Sequence, residues 1–119
     1  MALPGFERIM ARLTSKQGKY TEPVLRAIWD RRKSFPIDST ELKVMIGVND
    51  ATVRAIVSEA RVRGAPIGSN QDGYFLAWTE DELESTFAHL DGRMIRISRA
   101  KSGMLSAFDN NGQLRLDGV

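Results

Sequence analysis

The chain has no cysteine and a single histidine, His89. Disulfides, thiolate metal ligands and thiol nucleophiles are therefore excluded, and so is a histidine-rich metal centre. No run of about 18 apolar residues occurs, so no transmembrane helix is expected. The opening MALPGFERIMARLTSK (residues 1–16) has neither a long apolar centre nor a small-residue cleavage site. It reads as neither signal peptide nor membrane anchor, and a cytoplasmic protein is the expectation. The phosphate-cradling GK[ST] loop, the H-E-x-x-H helix and the G-x-S-x-G turn are all missing. No catalytic activity, metal or cofactor is expected. His89 has no carboxylate or nucleophile placed beside it by spacing, and reads as a surface residue. Internal repeats and low-complexity tracts are also lacking.

What is present fits one globular domain: 119 residues, 42% of them apolar. The net charge is only +2, but it is unevenly spread. Residues 1–38 hold eight Lys or Arg against four acids, TEDELE (79–84) is acidic, and GRMIRISRAK (92–101) is basic. Local basic surfaces suit phosphate contact, although such charges also simply solvate helix faces.

Along the chain, FERIMARL suggests a short helix within a basic N-terminal arm, residues 1–20. Thr21 reads as an N-cap with Pro23 in the first turn, and Val24, Leu25, Ile28 and Trp29 recur at helical spacing. This predicts a helix over 22–34, stopped by Pro36. PID (36–38) allows no more than one rung of a strand. Ser39 is the expected cap of a second helix whose inner face is Leu42, Met45 and Ile46. Gly47 ends it in the left-handed region. Asn49 then caps a third helix, over 49–63, with Asp50 in its first turn. Gly64 stops that helix. Pro66-Ile67 and Tyr74-Phe75-Leu76 flank the turn-rich GSNQDG and predict a β-hairpin. Thr79 and Glu82 form a capping box, with Trp78 and Leu83 as a hydrophobic staple, for a last helix from 80 to about 101 or further. FDNNGQLRLDGV (108–119) reads as a turn and a loose tail.

Helix, strand rung, helix, tight turn, helix, hairpin, helix is the order of a winged helix-turn-helix. The fold class expected is mainly α with a small β-hairpin, carrying an extra long C-terminal helix. The domain spans residues 21–78, followed by that helix over 79–108 and a tail over 109–119. The motif needs a flexible turn residue (Gly47), an apolar lock after the turn (Val48) and an inward stripe on the third helix (Val53, Ile56, Val57, Ala60). STELKVMIGVNDATVRAIVSEARVRGAPIGSNQDGYFLA (39–77) resembles winged helix-turn-helix domains of the biotin-operon-repressor type and small bacterial or phage DNA-binding proteins built on them. No catalytic domain follows, so biotin-ligase chemistry is not implied.

The resemblance implies that helix 49–63 enters the major groove of double-stranded DNA, in a bacterial or phage-infected cell. Asn49, Ala51, Thr52, Arg54, Ala55 and Ser58 would then face the bases. Arg54 suits guanine O6 and N7, Thr52 and Ser58 suit base edges or phosphates, and Ala51 and Ala55 permit close approach. Ser69, Asn70 and Gln71 in the hairpin tip would touch phosphates or a minor groove.

Residues 39–77 hold four basic and four acidic side chains, and Asp72 places an acid in the hairpin tip. Strong affinity therefore requires Lys43, Arg31, Arg32 and Lys33, or the arm with Arg8, Arg12, Lys16 and Lys19. Leu83, Phe87, Leu90, Met94, Ile97, Lys101, Met104 and Phe108 follow a heptad seam with one polar interruption, against which Gly92 and Gly103 argue. Its first half should pack on the domain. Leu90, Met94, Ile97 and Met104 make a candidate homodimer interface. The expected function is sequence-specific binding of double-stranded DNA by a transcriptional regulator or a phage-type replication or accessory factor. The alternative is a winged-helix interaction module that modulates a partner protein and binds little DNA.

Overall fold

The computed structural model describes residues 5–13, 18–84, 86–87 and 102–114. Its elements are α1 (Phe6–Arg12), α2 (Thr21–Trp29), α3 (Ser39–Ile46), α4 (Asp50–Val62), β1 (Ile67–Asn70) and β2 (Gly73–Leu76), then a 3₁₀ turn over Glu80–Leu83. The fold is mainly helical with one two-stranded antiparallel hairpin. Among the described residues no helix is long and apolar enough to cross a membrane.

The central helix is α2, which packs against α1, α3, α4 and β2. Its apolar spacing delivers Val24, Leu25, Ile28 and Trp29 to the core. Thr21 is the first helical residue and not the cap; its hydroxyl accepts from the Gly18 amide at 3.2 Å. The helix stops at Trp29 rather than at 34. The Arg31 carbonyl accepts from the Leu76 amide at 3.0 Å, and Arg32 pairs with Phe35 across a tight turn. Continuing the helix would forfeit both.

Ile37 makes one antiparallel rung with Tyr74, in line with the shortness of PID. Its amide donates to the Tyr74 carbonyl at 2.8 Å, and the Tyr74 amide donates back at 2.7 Å. Asp38, not Ser39, then caps α3: its carboxylate accepts from the Glu41 amide at 2.7 Å. Of the three residues expected on the inner face of α3, only Leu42 is buried. Ile46 is partly buried, but Met45 points outward at 59% exposure. Gly47 leaves α3 at φ 83°, the left-handed geometry expected of it. Val48 drops into the core, and the Asn49 side chain accepts from the Thr52 amide at 2.8 Å to start α4.

The hairpin pairs Ile67 with Leu76 and Asn70 with Gly73, so only Gln71 and Asp72 form its tip. Gly73 has φ 139°, and a Cβ there would overlap the Ile37 carbonyl. The rung to Ile37 therefore requires glycine at this position.

Two outer segments close the core. Phe6, Ile9 and Leu13 of the expected arm are buried, with Phe6 edge-on to Trp29 at 5.4 Å. At the other end, residues 102–114 fold back. Met104 is fully buried, and Phe108 and Leu114 nearly so. Gly103 lies so close to α4 that a Cβ would come within 2.6 Å of the Arg61 carbonyl. Phe108 pairs with Leu114 and Thr79 with Gln113, and the Leu114 amide donates to the Trp78 carbonyl at 3.0 Å. Residues 109–114 thus form the expected turn, but docked on the domain rather than loose; 115–119 lie outside the described residues.

Met104 consequently belongs to the core of its own chain and is not available as a dimer contact. Leu90, Met94 and Ile97, the rest of that seam, lie outside the described residues, as do Lys16, His89, Gly92 and Lys101. Of the expected cap, the Glu82 amide donates to Thr79 Oγ1 at 3.4 Å, but the Glu82 carboxylate accepts from Trp78 N at 2.5 Å.

Met104→Ala should lower unfolding free energy by about 2–5 kcal/mol, the cost of a large-to-small core change. Urea unfolding at two protein concentrations checks this: a core role gives the same loss at both, whereas a dimer contact gives a concentration-dependent midpoint.

Candidate nucleic-acid interface

The inward stripe of α4 is Val53, Val57, Ala60 and Arg61. At 3.6 residues per turn this turns Ala51, Arg54, Ala55 and Ser58 outward. All four are exposed, as is Asn49, and Thr52 is half-buried. The structure therefore brings the six residues expected to face a groove onto one outer side of the helix. Three of them are short, so the helix is slim where Ala51, Ala55 and Ser58 lie. Asn49 is partly committed, because its side-chain oxygen already holds the Thr52 amide.

Two i,i+4 ion pairs run along the side of this helix. Arg54 Nη2 lies 2.9 Å from the Asp50 carboxylate, with the two side chains 69% and 54% exposed. Arg63 and Glu59 form a second pair at 2.8 Å. An exposed i,i+4 pair such as Arg54–Asp50 contributes only about 0.3–0.5 kcal/mol, so its partners exchange readily.

The cations expected to supply affinity divide into two groups. Arg31 is held in place: it pairs with Glu41, donates to the Pro36 carbonyl at 3.3 Å and lies over the Phe35 ring. Arg12 donates to the Arg63 carbonyl at 2.6 Å, where a cation suits the negative end of α4. Arg32 rests over the Trp78 ring, 4.6 Å from its centroid, with its residue exposed. Lys33 and Lys43 are exposed.

In the hairpin, Gln71 is exposed at the tip, but Ser69 and Asn70 sit within β1. Asn70 Oδ1 accepts from the Asp72 and Gly73 amides at 2.8 and 3.2 Å, shaping the turn. Ser69 is tied inward: its amide donates to Thr86 Oγ1 at 2.8 Å, and its hydroxyl accepts from Arg61 at 3.2 Å. Ser69 thus braces the hairpin from within.

Arg61 and Tyr74 escaped the sequence reading. Arg61 is 8% exposed, and its Nε donates to the Ile67 carbonyl at 2.9 Å. It therefore links the end of α4 to β1 through two side-chain bonds. Among the described residues no carboxylate pairs with it. Burial pushes its pKa down to about 10, opposed by Tyr74. Burial in turn pushes the Tyr74 phenol upward, with Arg61 opposing, Asp50 adding and Arg54 opposing. At neutral pH Arg61 is charged and Tyr74 neutral, so dipoles rather than an ion pair balance the guanidinium. The signal for Arg61 lay in the helical period: it follows Val53 and Val57 at intervals of four, an arginine on the inward stripe. Tyr74 is placed by its rung to Ile37.

Comparison with protein-family models, with curated proteins and with solved structures finds no match to this chain.

Arg61→Met should destabilise the fold by about 1–3 kcal/mol, because the Ile67 carbonyl loses its donor in a buried setting. Relief of a buried charge offsets part of this. Arg61→Lys should not restore the wild-type urea midpoint, since an ammonium cannot reproduce the planar donor fork.

Proposed function

We propose that this chain is a winged helix-turn-helix protein that binds double-stranded DNA with sequence preference, as a regulator or a phage-type replication or accessory factor. The observation that supports this most is the outer face of α4. It combines a slim, exposed surface with one arginine, beside a hairpin held at fixed orientation by Arg61. In this reading α3 and the Gly47 turn set α4 into the major groove, and Arg54, Thr52 and Ser58 read base edges. The hairpin is the wing, with Gln71 at its tip against the backbone. Lys33, Lys43 and Arg32 contact phosphates, which position the protein without reading sequence. Two copies with α4 helices about one DNA turn apart would read a two-fold symmetric site.

The second reading is a protein-interaction module. It is favoured by Phe35, Val44 and Met45, which are 69%, 81% and 59% exposed, and by the internal pairing of charges on α4.

Selection from randomised duplex DNA, at low and moderate salt, tests the first reading. It expects one enriched site and binding that weakens steeply with salt, as counterion release requires. A palindrome with half-sites about ten base pairs apart indicates a homodimer, and an asymmetric site a monomer. No enrichment at either salt overturns DNA reading and leaves the interaction module. On an enriched site, Arg54→Gln should lower the preference for guanine at one position by about 1–3 kcal/mol. Binding to unrelated DNA should change little.

A further inference from the structure

The charge balance of α4 raises a chemical question that the proposed DNA reading leaves open. Asp50 is the acid nearest Arg54, at 2.9 Å, and both side chains are more than half exposed. A carboxylate entering a DNA groove faces phosphates and, on base edges, mainly acceptors. Guanine O6 and N7, adenine N7 and thymine O4 would all repel it. Burying it without a donor would cost far more than the exposed pair contributes.

Two features hold Asp50 beside Arg54. It is the first residue of α4, directly after the Asn49 cap, so the capped turn fixes its backbone. Arg54 follows one turn later on the same side, so both head groups reach the same stretch of groove. When Arg54 turns both donors toward a guanine, Asp50 retains lone pairs that only an amino group can satisfy. In the major groove the amino donors are cytosine N4 and adenine N6, and adenine presents the acceptor N7 beside its amine. Cytosine has no such neighbouring acceptor.

Resting on the DNA-binding reading, we propose that Asp50 is a specificity-determining residue that accepts from the N4 amine of a cytosine beside the guanine read by Arg54. The contact is one hydrogen bond from the base to the carboxylate. Asp50 simultaneously discourages binding to DNA that lacks an amino group at that place, so it gives up non-specific affinity for discrimination.

The test uses the full chain and its Asp50→Asn and Asp50→Ala variants in the same duplex selection, with thermal midpoints confirming that each is folded. Affinities for the enriched site and its single-base variants follow. The wild type should require cytosine at one position near the Arg54 guanine. Asp50→Ala should bind unrelated DNA more tightly and lose about tenfold of that cytosine preference. Asp50→Asn should shift the preference toward adenine, which an amide can bond at N6 and N7 together. If the wild type enriches a site and Asp50→Ala keeps every base preference, Asp50 is only an electrostatic brake. This inference then fails while DNA reading stands. If the wild type enriches nothing, both fail.

Discussion

Two hydrogen bonds between Ile37 and Tyr74 join the segment ahead of α3 to the hairpin. A pair of backbone bonds is individually modest, but much of the geometry is referred to this one. It fixes the point from which Asp38 caps α3, and hence the direction in which Gly47 and Asn49 launch α4. It also fixes the hairpin, because β2 carries the rung on one edge and β1 on the other. The requirement for glycine at position 73 follows from the same closeness. Substitution there would alter helix and hairpin placement together.

Arg61 makes the complementary link at the far end of α4. A charged side chain in the core is an unfavourable way to gain stability, and an apolar residue would fill the space with less desolvation. What Arg61 supplies is direction: bonds to Ile67 and Ser69 hold the hairpin at one angle to the helix. Thr86 continues the network through the Ser69 amide and carbonyl. The outer face of α4 thus stands on a frame anchored at both ends.

Much of this was legible in the sequence where a local rule decides the outcome. Glycine in the left-handed turn at 47, the asparagine cap at 49, the α4 stripe and the hairpin all follow from short-range chemistry. The readings that failed depended on distant partners. Helix α2 ends early because the Arg31 carbonyl is taken by Leu76, about 45 residues away. Periodicity alone points Met45 inward, yet α3 is only eight residues long and buries little beyond Leu42. Met104 fits a dimer seam by spacing because a heptad pattern does not say which surface it meets. On the candidate site, the exposed α4 residues were readable from the helical period. The commitments of Ser69, Asn70 and Arg31 to internal bonds were not, since each depends on strand register or a turn.

The return of residues 102–114 has a consequence for the order in which the protein matures. Met104, Phe108 and Leu114 share one core with Phe6, Ile9 and Leu13 from the beginning of the chain. During synthesis, the early helices emerge well before the segment that covers them. Until residue 114 clears the ribosome, the apolar sides of α1 and the end of α4 lack their lid. Exposed apolar surface of this kind is the usual substrate of chaperones and the usual route to aggregation. Contacts spanning almost the whole sequence also slow the final closure. The nascent chain, more than the finished protein, is therefore the vulnerable form.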